Sequence, residues 1–174
     1  MNIEQENLDT TWIENLALDE INMEESGIVN INEHLNPLHF LEESSIAFVE
    51  ELRDLFEIYI TKFNECRSDS SKQHQIKLFK ISNTVNDFML FRNSLKLVIA
   101  RRSNDVITIG FLSNSGGLFA ARLNHEQTAS HKLHEIRAHV GTFNNIEWRF
   151  NGEKVDPAAL VKHYLSEFIR HSAR

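Results

Sequence analysis

At Arg67 the chain changes character twice. Up to Cys66 its apolar residues recur at helical spacing, and beyond Lys72 they alternate with polar ones, the period of a strand. The charge changes sign at the same place. Residues 1–66 hold sixteen Asp or Glu against Arg53 and Lys62, whereas residues 67–174 hold nine acids and sixteen Lys or Arg. A helical stretch followed by successive strands restricts the fold to the α+β class. The formal net charge of −7 hides a dipolar molecule, whose halves attract one another and partners of the opposite sign.

A long helix is predicted from Pro37 to Cys66. Asn36 is placed to cap it, Pro37 takes the first helical position, where a missing N–H costs nothing, and Leu35 with Phe40 forms a staple across the cap. Phe48, Leu52, Leu55 and Tyr59 make one apolar stripe, and Val49, Phe56, Ile60 and Phe63 widen it. That width suits one broad core face, with a surplus for a second contact such as a dimer seam. The closing helix repeats the design: Asp156 as cap, Pro157 first, Val155 and Leu160 as staple, and Leu160, Val161, Tyr164, Leu165, Phe168 and Ile169 as the buried stripe.

Between these helices the alternating segments predict strands over 75–81, 87–91, 95–101, 106–112, 118–123, 132–140 and 146–150. Short turns join most of them, and Asn151-Gly152 is the strongest turn signal in the chain. Short turns favour antiparallel neighbours, because parallel crossovers need a dozen residues or more. The expected architecture is therefore an antiparallel meander of five to seven strands packed by a long N-terminal helix and a C-terminal helix.

Residues 1–34 form an acidic flexible arm in this reading, and residues 35–174 a single domain. The first 33 residues contain nine acids and no Lys or Arg, too little apolar mass and too much self-repulsion to fold alone. Trp12, Ile13, Leu16, Leu18, Ile21 and Met23 nevertheless interrupt the acids, in a spacing that permits a short amphipathic helix when something covers it. A solvating tail has no need of these residues.

Few residues point to chemistry. Cys66, the single cysteine, cannot form an internal disulfide, which suggests a reducing compartment; at a helix C-terminus it reads as a partly buried structural thiol. No apolar run approaches a membrane span, and the acidic start lacks the features of a signal peptide, so a cytoplasmic protein is expected. His125, His131, His134 and His139 cluster in sequence, but five residues along a strand put His134 and His139 on opposite faces, so no metal is expected. There is no nucleophile elbow and no phosphate-binding glycine motif, and no cofactor is expected; Asn114–Gly117 reads as a hairpin turn. Phe88, Phe91, Phe111, Phe119, Phe143, Trp148 and Phe150 read as core.

These features predict a non-enzymatic adaptor or regulatory binding protein with an unidentified protein partner, a homodimer being one arrangement. The small acidic α+β design is similar in size and architecture to secretion-type chaperones. The partner-binding candidates are Trp12, Ile13 and Leu16 with Glu14, Asp19 and Glu20, docking in cis or onto a partner. A basic surface is expected from Arg92, Lys96, Arg101, Arg102, Arg122 and Arg137. One alternative is a nucleic-acid binder autoinhibited by its arm; another is a small-ligand or nucleotide pocket between sheet and helices.

Overall fold

The computed structural model describes residues 8–28, 37–67, 74–113 and 133–173. The chain divides into two units, Met1–Asn36 and Pro37–Arg174. In the first, Thr11–Ser26 form helix α1. The second begins with helix α2 (Pro37–Cys66) and continues through seven strands: β1 (Lys77–Lys80), β2 (Phe88–Arg92), β3 (Leu95–Ser103), β4 (Val106–Ser113), β5 (His134–Val140), β6 (Ile146–Phe150) and β7 (Glu153–Lys154). Helix α3 (Pro157–Ser172) closes it. The sheet is an antiparallel meander whose spatial order is its chain order, β1 to β7. This is the α+β design that the change of period at residue 67 predicts.

Strand parity decides which side of the sheet is core. Across the register Leu78, Leu90, Leu97 and Phe111 share one row, and Phe88, Ile99 and Ile109 the next. Ile107 and Ile136 pair directly, as do Ala138 and Trp148. All point to one face. Helix α2 meets them with Phe48, Val49, Leu52, Phe56 and Ile60, and α3 with Val161, Tyr164, Leu165 and Phe168, all in one buried cluster. Phe56 meets Phe88 edge-on at 5.9 Å, and Phe48 stacks on Trp148 at 5.4 Å. Both helices therefore lie on the same side of the sheet, and the domain has two layers.

Local chemistry sets the ends of these elements. The Asp156 carboxylate accepts from the Ala158 N–H at 3.3 Å, with Pro157 at the first helical position. Val155 and Leu160 both pack partly buried against the core, as a staple requires. Asn151 and Gly152 both take positive φ, 51° and 85°, between the paired residues Phe150 and Glu153, which is the tight hairpin that this dipeptide favours. Asn64 fixes the entry to the sheet: its amide donates to the Ile76 carbonyl and its oxygen accepts from the Ile76 N–H, both at 3.0 Å.

Some expectations need correction. Tyr59 leaves the predicted stripe and is 45 % exposed; Ser45 is buried instead, beside Phe48 and Val49. Cys66 is exposed, not partly buried. Phe143 does not join the core: it sits in a one-turn 3-10 helix, Thr142–Asn144, with φ of 57°, and is wholly exposed. Strand β7 was not foreseen, being only two residues long. The expected strand at 118–123, the cap at Asn36 and the staple residue Leu35 lie outside the described residues.

Phe168 has no exposed surface. Replacing it by alanine is expected to destabilise the domain by about 3–5 kcal/mol in urea unfolding. A loss under about 1 kcal/mol would show that α3 is not core.

Candidate interaction surfaces

Local hydrogen bonds mark both ends of helix α1. Asp9 accepts from the Thr11 N–H at 3.0 Å, the Thr10 hydroxyl donates to Glu14 at 3.0 Å, and Gly27 ends the helix in the left-handed region at φ 67°. The side-chain and then the backbone hydrogen bond from Thr11 hold the Asp9 carboxyl below its usual range. The helix has no buried residue. Trp12, Ile13 and Leu16 are 61, 47 and 43 % exposed, and Leu18 and Ile21 are exposed too. Glu14 and Glu20 are also exposed, while Asp19 and Met23 are half-buried. Trp12, Leu16 and Met23 fall on one side of the helix, with Asp19 between them.

The six basic candidates do not form one patch. Arg92 is 4 % exposed and is not a surface residue. Its Nε donates to the His74 carbonyl at 2.9 Å, its Nη1 to the Ser172 hydroxyl at 3.4 Å, and its guanidinium lies 5.3 Å from the Phe63 ring centre. Burial, and then the charge of Arg67, lower its pKa from the usual value. Arg101 also turns toward the helices, where its Nη1 donates to the Ser45 hydroxyl at 3.1 Å and to Asn104 at 3.2 Å. Their parity on β2 and β3 is that of the buried Leu90 and Ile99, which explains both placements. Lys96 has the opposite parity and is half-buried; Arg102, in the bulge between Arg101 and Ser103, is exposed. Arg137 is exposed and pairs with Glu135 on its own strand at 2.6 Å. Arg122 lies outside the described residues.

The sheet face turned away from α2 and α3 was not singled out as a unit by the sequence. Its register rows differ in chemistry. Phe79, Met89, Val98 and Gly110 lie side by side across β1 to β4. Leu133, just before β5, lays its side chain over Gly110: a Cβ there would stand 2.6 Å from Leu133 Cδ2. The next row is Lys77, Phe91, Lys96 and Leu112. Phe79, Leu112 and Leu133 are 43, 56 and 51 % exposed. On β5 and β6 the face turns polar, with the pairs Arg137–Glu135 and Arg149–Glu147. The hydrogen bond from Arg149 holds the Glu147 carboxyl below its usual range.

Among the described residues no three His, Cys, Asp or Glu converge as metal ligands. His134 turns toward α3 and His139 to the opposite face; His125 and His131 lie outside the described residues. The Tyr164 hydroxyl bonds to Nδ1 of His134, and the rings of Phe111 and Phe150 flank the pair. Burial pushes the Tyr164 phenol from 10.0 to about 12, so at neutral pH it keeps its proton. A groove of about 560 Å³ lies along α3 beside Tyr59 of α2, lined by Ala158, Ala159, Leu165 and Ile169 and by the polar side chains of Tyr59, Asp156, Lys162 and Ser166. Its lining comes from the helices and the Asp156 cap, with no strand residue. No helix among the described residues is long and apolar enough to cross a membrane.

Comparison with models of protein families, with curated proteins and with solved structures found no match to this chain.

The raised phenol has a consequence for stability. Between the unfolded value near 10.0 and the folded value of about 12, the unfolded chain has already released this proton and the folded chain has not. Stability therefore falls as pH rises through that window, by up to about 2–3 kcal/mol from this group. Urea unfolding from pH 9 to 11.5 should show the decline in the natural chain and a shallower one in Tyr164→Phe. Equal slopes would contradict the assignment.

Proposed function

We propose that this protein is a cytoplasmic, non-enzymatic adaptor or regulatory binding protein that acts through its acidic arm and the sheet face turned away from α2 and α3. One observation carries the reading: α1 presents Trp12, Ile13, Leu16, Leu18 and Ile21 to solvent among acidic residues and buries none of its side chains. Helices of this kind gain stability by laying an apolar stripe in a partner's groove, with charges at the rim setting orientation. Trp12 and Leu16 would supply the apolar contact, and Glu14, Asp19 and Glu20 the electrostatic complement to a basic, partly apolar surface. Docking in cis would require little intrinsic affinity, because a short tether supplies a roughly millimolar effective concentration.

A second reading, nucleic-acid binding masked by the arm, draws on Lys96, Arg102 and Arg137. It is weakened by Arg92 and Arg101, which turn inward to bond with neutral groups, and by Glu135 and Glu147 on the face a polyanion would meet. The groove along α3 offers less to a small-ligand reading, since most of its surface is apolar and no strand residue lines it.

Fluorescence anisotropy with a labelled mixed-sequence oligonucleotide separates the first two readings. The chain and a form lacking residues 1–33 are compared at low and moderate salt. The adaptor reading expects neither to bind. Salt-sensitive binding that appears on removing the arm would overturn it in favour of the masked nucleic-acid surface.

A further inference from the structure

We infer that the chain forms a two-fold dimer through its helix layer, with α2 of each copy laid along α3 of the other and Ile58 seated in the partner's groove. This seam uses neither the arm nor the sheet, so it stands apart from the adaptor reading above.

Three observations select a second copy as the occupant. The first is where the helix layer stays apolar at its surface. Beyond the first turn of α2, Ile58 and Tyr59 are the exposed large apolar side chains of the two helices, at 63 and 45 %. Tyr59 lines the groove, whose other wall is kept low by the small side chains of Ala158, Ala159 and Ser166. A protruding Ile58 thus stands next to a recess of about 560 Å³. A knob and a hole side by side on one surface suit a two-fold contact, since each copy offers both and receives both.

The second is spacing. The N-terminal half of α2 and the start of α3 both lie by Trp148, which stacks on Phe48 and whose carbonyl accepts from the Val155 N–H. Both helices end by Arg92, which lies over Phe63 and donates to Ser172. They therefore run in the same direction, and a two-fold axis along that direction sets α2 parallel to the partner's α3. Glu51 lies seven residues before Ile58, and Lys162 seven before Ile169. Seven residues make nearly two turns, so each pair shares one side of its helix, about 10 Å apart. With Ile58 against the partner's Ile169, Glu51 comes level with the partner's Lys162.

The third is charge. Other charges near this seam are paired within their own helix: Asp54 with Arg53 at 3.2 Å, Lys62 with Glu65 at 3.5 Å and Arg170 with Glu167 at 3.6 Å. Glu51 and Lys162 are exposed and have no ion-pair partner among the described residues. The exchange gives each of them the opposite charge, twice in the dimer, at the rim of the apolar contact.

Sedimentation velocity on the full chain tests this. The natural protein should be mostly dimeric at ~100 µM, and Ile58→Glu should raise Kd at least ~10-fold. Glu51→Lys and Lys162→Glu each place like charges at both rim contacts and should each raise Kd about 10-fold. Circular dichroism checks that each variant remains folded. The deciding arm mixes Glu51→Lys with Lys162→Glu. In the mixed pair every rim contact again joins opposite charges, so a heterodimer of near-natural affinity should form where neither variant dimerises well alone. A natural chain that stays monomeric, a dimer unmoved by Ile58→Glu, or a mixture that associates no better than its components would each overturn the inference.

Discussion

The contact on which the rest depends is the seating of α2 on the middle of the sheet. Val49, Leu52 and Phe56 have no exposed surface, nor do Phe88, Leu97, Ile99 and Ile107 beneath them. Burying side chains of this size gives about 1.5–3 kcal/mol each, more than a neutral hydrogen bond contributes, about 0.5–1.5 kcal/mol. Once α2 occupies that face, α3 can only pack beside it, since its stripe of Val161, Leu165 and Phe168 needs the same strands and the flank of α2. Both helices are thus committed to one side. Whatever apolar surface the alternate strand positions carry is left to something other than α2 and α3.

The same seating accounts for the basic residues that turn inward. Arg92 and Arg101 share parity with core positions, so their guanidinium groups come in with the core and must find acceptors there. Arg92 finds the His74 carbonyl, the Ser172 hydroxyl and the Phe63 ring, at the negative end of α3, where a cation is favoured. Asn93 adds a bond from its amide to the Ser172 carbonyl at 2.8 Å. At the other end of the sheet Arg101 reaches Ser45 on α2, Trp148 donates to Ser44 at 3.1 Å, and the Asp87 carboxylate accepts from the Arg101 N–H at 2.9 Å. These bonds fasten the helix layer to the sheet at both ends. They spend on cohesion part of the positive charge that the sequence suggests is available to partners.

The elements were more legible than the surfaces. The helix spans Pro37–Cys66 and Pro157–Ser172 follow from proline, cap and period, which are local signals. Most strands follow from alternation and short turns. Which face a strand residue occupies depends on register with its neighbours, which the chain does not state locally, and the irregularity between Arg101 and Ser103 leaves Arg102 without a cross-strand partner. This is why a basic surface drawn from sequence mixes inward and outward arginines. Phe143 shows the opposite limit: its type argues for burial, while its place in a tight loop between β5 and β6 leaves it in solvent. The apolar row over Phe79, Met89 and Val98 was missed because its members lie on three strands and none is a cluster in sequence. Parity counted outward from Leu90 and Leu97 would have found it.

The central claim is that the seating of α2 on the middle of the sheet holds the domain together. Amide hydrogen exchange measures it most directly, because amides that open only when the whole domain opens exchange last. The account predicts that the amides of Val49–Phe56 and those of β2–β4 are the slowest and exchange together. Rapid exchange through Val49–Phe56 while β2–β4 stay protected would contradict it.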